Sequence, residues 1–174
     1  MKVKMVNYHR DNHYMKLVSP ILENKEFSQL ETVIHHGTTR MNHSIRVSYY
    51  SYKLAKALCL DYDQVARAGL LHDFFLDRTT DYEKTKDKVV LFTTGHPKVA
   101  AENAKKYFHL TEKEEDIIKT HMFPVDYRIP KYAESWIVCA VDKLVGTYEF
   151  CRKFKYQFTY GLNFSLLLML NILK

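Results

Sequence analysis

The sequence predicts an all-α fold, a helical bundle with flanking N- and C-terminal helices. Glycine and proline are scarce, at 5 and 4 of 174 residues, and this favours long helices over a turn-rich β architecture. Apolar residues recur at helical spacing in several segments. At 47% hydrophobic and 26% charged residues, the composition is that of an ordinary globular protein. We therefore expect one domain over residues 1–174.

The N-terminal flank, residues 8–35, has the pattern of two short helices. Pro20 marks either the start of the second helix or a break in the first, because proline lacks the N–H that a helix interior needs. Gly37 follows His35 and His36, and a glycine in that place predicts the end of a helix. We expect His9, His13, His35 and His36 to be surface or supporting groups, with His36 nearest to any site.

The first core helices are predicted by their apolar spacing and their caps. Residues 40–58 have a broad apolar side, and His43 lies in the first turn. Asp61 or Asp63 can cap the next helix, which we expect to run from Gln64 to about Phe75. Residues 77–94 are polar and lack clear periodicity, apart from a short strand or helix at 89–92. They are therefore a candidate lid or substrate loop.

The later core helices have clearer start signals. Pro97 suits a first helical turn and opens a helix to about Phe108. Thr111 and Glu114 form a capping box at the start of a helix that ends at His121. A long helix at about 132–154 is apolar nearly all round and is expected to be buried. Asp142 lies in its middle, where a carboxylate needs a cation or strong hydrogen-bond donors.

The C-terminal extension, residues 147–174, includes a separate terminal helix from Gly161. Its apolar stretch at 164–173 is half the ~20 residues that a bilayer span requires, so we expect no stable membrane span. A buried helix, or one covered by a partner such as a second copy, is favoured over membrane association. The N-terminus has no apolar signal region. Three cysteines without a CxxC pair favour a reduced, cytoplasmic location.

Five polar features recur along the helical core. The pair His72-Asp73 ends an apolar run, and His43, His96, His121 and Asp142 lie on either side of it at intervals of roughly 20 to 30 residues. That interval is about one helix and its connection. Each residue alone has an ordinary explanation as a core, capping or salt-bridged group. As a set, they predict a metal site inside a helical bundle.

This ordered set resembles the HD-domain metal-dependent phosphohydrolase superfamily, in its form with two additional histidines. His72-Asp73 is similar to the hallmark pair, His43 to the upstream histidine, and Asp142-Lys143 to the distal aspartate and lysine. The resemblance covers roughly residues 35–146, and it implies that they form an all-α core of five helices, with the N- and C-terminal helices flanking it. It implies one metal held by His43, His72, Asp73 and Asp142, and a second that shares Asp73 and takes His96 and His121.

The resemblance also implies the chemistry. His72 and Asp73 would be the catalytic pair, and two ions would hold a bridging hydroxide that attacks phosphorus in line. Nitrogen and oxygen ligands without thiolate fit Mn, Fe, Co, Ni or Zn, with Mg less suited. Arg46, Arg78, Lys98 and Lys143 are candidates for binding phosphate oxygens. Glu102 and Asp77 could orient ligand histidines.

We therefore expect a cytoplasmic metal-dependent phosphohydrolase acting on a nucleotide or another small phosphorylated compound. Two alternatives stay open: a dinuclear-iron oxygenase, and a non-catalytic ligand-binding or interaction module. The formal net charge of +6 suits an acidic ligand, but dispersed basic residues and the absence of a nucleic-acid motif do not favour nucleic acid. Several branches of the superfamily have glycine and then lysine soon after the His-Asp pair, whereas this chain has Phe74-Phe75. The two rings could pack in the core or stack on a nucleobase.

Overall fold

The computed structural model describes residues 7–35, 38–76 and 94–172. It confirms the all-α fold, with one two-residue antiparallel pair, β1 (Ile34–His35) and β2 (Thr38–Thr39). The candidate loop at 77–94, apart from Thr94, lies outside the described residues, as do Asp77, Arg78 and His36. The helices, in chain order, are α1 Asn12–Leu22, α2 Lys25–Ser28, α3 Arg40–Ala57, α4 Tyr62–Leu71, α5 His96–Tyr107, α6 Glu112–Thr120 and α7 Ala133–Ile172.

The core helices begin at side chains that satisfy their first free N–H groups. The Thr39 hydroxyl accepts from the amide of Asn42 at the start of α3. Asp61, rather than Asp63, caps α4. Thr111 and Glu114 form the complete capping box of α6. These caps set where each helix begins and therefore where its histidine is placed.

Helix α3 lies at the centre of the bundle, packed against α4 and α7, while α6 contacts α4, α5 and α7. A close approach joins α3 to α4. A Cβ atom added at Gly69 would lie 3.1 Å from the Cα atom of Ser48, so glycine permits this backbone separation. The same approach brings together the turn that carries His43 and the end of the helix that precedes His72.

Three local predictions differ from the structure. Ile34 and His35 pair as a strand with Thr38 and Thr39 rather than ending a helix, because β-branched Ile34, Thr38 and Thr39 suit extended backbone. Pro20 lies inside α1, in its last turn. Helix α4 ends at Leu71 instead of Phe75, since the amides of Phe74 and Phe75 bond to the carbonyls of Leu71 and Asp73 in a tight turn.

Helix α7 also differs from the prediction, in length and in burial. It is continuous from Ala133 to Ile172, so Gly161 does not begin a separate helix; a single helical glycine costs only about 1 kcal/mol. Between Ala133 and Phe154, its side chains are buried on one side only. Val138 is fully buried, whereas Trp136 and Leu144 are exposed. The high apolar content of this helix therefore does not reflect burial all round.

Candidate metal centre

The six predicted ligand residues converge on one place in the bundle. His43 lies in the first turn of α3, and His72 and Asp73 lie in the turn after α4. His96 opens α5, His121 directly follows α6, and Asp142 lies in α7. Each side chain comes from the end or the middle of a different helix, except for the adjacent pair. Five of the six are buried, and the side chain of Asp142 is 14% exposed.

One part of the cluster is formed around Asp142. Its Oδ1 atom lies 3.0 Å from Nε2 of His43 and 3.5 Å from Nε2 of His72. The three potential ligand atoms lie within 4.8 Å of one another. Two histidine nitrogens and a carboxylate oxygen at this separation can bind one divalent transition-metal ion.

The other part is formed around Asp73. Its Oδ1 atom lies 3.5 Å from Nε2 of His96 and 3.7 Å from Nε2 of His121. Its Oδ2 atom lies 3.7 Å from Nε2 of His72. The two oxygens of one carboxylate thus face two sets of histidine nitrogens, an arrangement in which a carboxylate can bridge two ions.

Outer hydrogen bonds set the orientation of three of the histidines. Nδ1 of His72 donates to the carbonyl of Gly69, and Nδ1 of His121 donates to the carbonyl of Ile118, both over 2.7 Å. Nδ1 of His43 is 2.9 Å from a carboxylate oxygen of Glu149. Each ring consequently turns Nε2 toward the cluster. Such outer partners are typical of metal-binding histidines, because they fix the tautomer and raise ligand basicity.

The residues present fit a metal ion. Nε2 of His72 is buried, and no atom of the described residues forms a hydrogen bond with it. A buried polar atom without a partner is costly. The Nε2 atoms of His96 and His121 face each other at 3.1 Å. A cation among these atoms would satisfy the orphaned nitrogen and separate the facing rings.

The electrostatics of the cluster keep both aspartates ionised. Burial would raise the pKa of Asp73, but the charges of His72, His96 and Arg40 outweigh it and hold that pKa below its ordinary value. Burial also opposes ionisation of Asp142, yet the hydrogen bond with His43 and the nearby ring of His72 hold its pKa well below the usual range. Two carboxylates that stay charged when buried suit cation binding.

The histidines divide into two classes. Burial favours the neutral form of His43, but hydrogen bonds to Asp142 and Glu149 outweigh it and raise its pKa to about 10. Burial lowers the pKa of His121 to about 3, with further lowering from His72 and His96. A histidine must be neutral to bind a metal ion. His121 is already neutral, whereas a metal ion would have to displace a proton from His43.

The supporting residues were not predicted from the sequence. Glu149 is buried and contacts His43 and Arg46, and its pKa is lowered as those cations overcome the effect of burial. Arg40 is also buried; its guanidinium donates to the carbonyl of Phe75 and lies 3.7 Å from the centre of that ring. Glu149 is seven residues after Asp142, which places both carboxylates on one face of α7. From that spacing in the sequence, Glu149 could have been predicted to lie near the metal cluster.

The predicted phosphate-binding residues occupy different places. Arg46 is buried in an ion pair with Glu149. The ammonium of Lys143 donates to the carbonyl of His121 over 2.8 Å, close to the cluster. Lys98 is exposed on α5, as is Glu102, and Arg78 lies outside the described residues. None of these positions tests phosphate binding.

The aromatic pair after Asp73 packs within the protein. Phe74 is fully buried and contacts Phe27 edge to face, and the ring of Phe75 stacks on His96 with centroids 5.1 Å apart. The burial of both rings confirms that they pack in the core and do not form an exposed surface for stacking on a base. It also places Phe75 directly behind a predicted ligand.

Comparison with known proteins assigns the family. The sequence model of the HD domain matches residues 40–146, which is more than half of the chain. The chain belongs to the HD domain family. HD domains bind divalent metals, and the two His/Asp groups described above are the candidate ligands in this HD domain. No solved structure gave a significant match.

Two curated relatives are similar to this HD protein over part of its length. Ribonuclease Y of Mycoplasma capricolum subsp. capricolum and Ribonuclease Y of Mycoplasma mycoides subsp. mycoides SC are each 37% identical over 83 residues. The aligned region is 48% of this chain and 14% of either relative. The chain thus spans about one seventh of these relatives.

Within residues 7–35, 38–76 and 94–172, no helix combines the length and the hydropathy that a membrane span requires.

Proposed function

We propose that this HD protein is a metal-dependent phosphohydrolase that cleaves a phosphate ester of a nucleotide or another small phosphorylated compound. The observation that supports this most strongly is the convergence of four histidine Nε2 atoms and two ionised aspartates at one buried place. Divalent ions bound there would supply Lewis acidity and lower the pKa of water. Family membership supports a hydrolase-type enzyme.

In this proposal, the six residues hold two ions. His43, His72 and Asp142 bind one, His96 and His121 bind the other, and Asp73 contacts both through its two oxygens. Asp73 would thereby set the separation of the ions. Arg40, whose charge contributes to the lowered pKa of Asp73, stabilises the bridging carboxylate in its ionised form.

The phosphate group would be attracted by the cations at the rim. Lys143 is the best placed of the predicted residues, because its ammonium is hydrogen-bonded to the backbone of His121. Lys98 and Arg78 remain candidates from the sequence alone. For Arg46 we favour a supporting role, since its guanidinium pairs with the carboxylate that orients His43.

The decisive experiment combines metal content with activity. The wild-type chain is reconstituted with Mn, Fe, Co, Ni or Zn, and bound metal is measured alongside hydrolysis of nitrophenyl phosphate, its diester and nucleotides. We expect two ions in the wild type, none in Asp73→Ala, and about one in His121→Ala. His13→Ala removes an exposed histidine that pairs with Asp63 outside the cluster and is the matched control.

Two outcomes would overturn this proposal. A wild-type chain that binds none of these metals removes its basis, and equal metal content in Asp73→Ala and His121→Ala contradicts a bridging role for Asp73. Full hydrolytic activity with Zn or Mn under anaerobic conditions would exclude the dinuclear-iron oxygenase. Metal binding without turnover on any ester would favour the non-catalytic module.

The similarity to Ribonuclease Y favours a second candidate, a phosphodiesterase acting on an oligonucleotide. The net charge of +6 is compatible with such a polyanion. Comparing cleavage of a short oligoribonucleotide with release of phosphate from nucleotides separates the two candidates. A cytoplasmic location remains a prediction, consistent with three cysteines that form no disulfide.

A further inference from the structure

Helix α7 exposes a continuous uncharged stripe on the side that faces away from the bundle. We call it the outer stripe, and every residue in it is exposed. Successive members are three or four residues apart, so that they lie along one face of the helix. Its members are Ala133, Trp136, Ala140, Leu144, Thr147, Cys151, Phe154 and Phe158.

The opposite side of α7 is engaged with the rest of the protein. Val138, Val141 and Val145 are buried, and Glu149 is buried against His43 and Arg46. The outer stripe is therefore exposed even though another face of α7 packs against the rest of the protein. Apart from Trp136, whose ring also packs edge to face against Phe123, it is the uncovered face of a helix whose other face completes the metal cluster.

The exposed apolar area is large. Trp136, Leu144 and Phe154 are 46%, 70% and 61% exposed, and Phe158 is 66% exposed. Tyr148 and Phe150, on the flanks of the stripe, are 63% and 58% exposed. Since an aromatic side chain offers about 150–250 Å², these groups expose on the order of 600 Å² of largely apolar surface. A standard protein interface uses about 800 Å² per partner.

We propose that the outer stripe is the interface through which two copies of this chain associate, helix against helix. From Ala140 to Phe158 the members follow the alternating four- and three-residue steps of a coiled-coil seam. Small residues alternate with large ones over the first five members of the stripe, from Ala133 to Thr147. That alternation suits insertion of the side chains of one helix between those of a facing helix.

Two features favour a second copy of the chain over other binding partners. They are the alternation of small and large residues and the size of the exposed apolar area. A lipid surface is the principal alternative, because Arg152, Lys153 and Lys155 lie beside the aromatic residues and would attract anionic headgroups. Lipid insertion, however, needs no small residues between the large ones, and the stripe extends back to Ala133 beside the folded body.

Association is measured by analytical ultracentrifugation of the full chain between about 1 and 200 µM. We expect a dimer with a Kd near 10 µM or below, and about tenfold or greater weakening in Leu144→Lys. Leu58→Lys is the matched control, because Leu58 is 55% exposed directly after α3 and is not part of the outer stripe. Thermal unfolding of both variants should match the wild type under dilute conditions.

Cysteine modification locates the interface. Cys151 lies in the stripe and Cys59 is exposed elsewhere. Raising the protein concentration into the dimer range should slow maleimide reaction at Cys151 several-fold and leave Cys59 unchanged. The proposal is overturned by a wild type that stays monomeric at 200 µM, or by a dimer in which Cys151 reacts at the monomer rate. Monomer that binds phosphatidylglycerol vesicles through Leu144 and Phe154 would assign the stripe to lipid instead.

Discussion

His43 is held between two carboxylates of the same helix. Asp142 contacts its Nε2 atom and Glu149 contacts its Nδ1 atom, at 3.0 and 2.9 Å. The two acids are seven residues apart in α7, so that both reach the one ring from the same helix face. Arg46 neutralises Glu149 from the next turn of α3. These contacts orient a predicted ligand and join α3 to α7.

We expect Glu149→Gln to weaken metal binding by about 10- to 100-fold, the usual effect of removing an outer partner of a metal-binding histidine. The amide can still accept a hydrogen bond, but it lacks the charge that raises the basicity of His43. A competition titration against a chelator of known affinity measures the loss.

The Arg46→Met/Glu149→Gln double variant is the control for stability. It removes the buried cation together with its partner, so that neither charge is left uncompensated. Its unfolding free energy should recover toward the wild-type value, while its metal affinity stays low. Wild-type affinity in the double variant would show that Glu149 acts only by pairing with Arg46.

Metal affinity should depend on pH because His43 holds a proton in the metal-free protein. Its pKa is raised to about 10, so below that pH an ion must displace one proton from this ring. Affinity is therefore expected to rise about tenfold per pH unit from pH 6.5 to 8.5. Calorimetric titrations in buffers of different ionisation enthalpy would report the released proton. Affinity that does not change across this range would contradict the displacement.

At the scale of elements, the metal cluster depends on how closely α3 and α4 approach. Gly69 lies against the backbone of Ser48, and its own carbonyl accepts from Nδ1 of His72. One residue thus sets a helix separation and orients a predicted ligand. Apolar packing of α4 would not by itself require a glycine at position 69.

Gly69→Ala should destabilise the protein by about 1–3 kcal/mol, because the new methyl group meets backbone that cannot move without separating the helices. Gly146→Ala is the matched control, since nothing lies within 4 Å of the added Cβ atom there. That substitution should gain up to about 1 kcal/mol from reduced backbone entropy. Urea unfolding of the metal-free proteins compares them, and equal effects at the two sites would contradict the close-approach argument.

At the scale of the whole molecule, the candidate centre links five helices that are dispersed along the chain. Residues 43 to 142 supply the ligand atoms, from α3 through to α7. A bound ion would therefore oppose separation of every core helix. In its absence, the cluster contains a buried orphan nitrogen at His72 and two buried carboxylates.

Metal binding should accordingly stabilise the whole fold. At a free metal concentration of 100 times Kd, one site adds about 2.7 kcal/mol, which for a chain of this size raises Tm by roughly 5–10 °C. Calorimetry with and without a chelator measures the shift. Asp73→Ala, which is expected to lose both ions, should show little shift, and a shift equal to that of the wild type would place the stabilising ion elsewhere.

Most of the core elements could be predicted from local sequence. Helix α3 begins where the apolar spacing from residue 40 predicts, and α5 and α6 begin where Pro97 and Thr111 predict, because caps and helical periodicity act over a few residues. The conformation of the strand residues 34–35 and 38–39 and the end of α4 were predicted wrongly. In both, backbone hydrogen bonds to residues outside the helical pattern decide the conformation.

The sequence by itself determined which residues could form the centre, since the types and order of the four histidines and two aspartates are properties of the chain. Only the tertiary structure decided what supports them. The contact of Glu149 with His43, and the pairing of Arg46 with Glu149 instead of solvent, depend on how α7 lies against α3. The outer stripe was likewise indistinguishable from core in the sequence. Apolar spacing shows that a face avoids water, and packing alone decides which partner covers it.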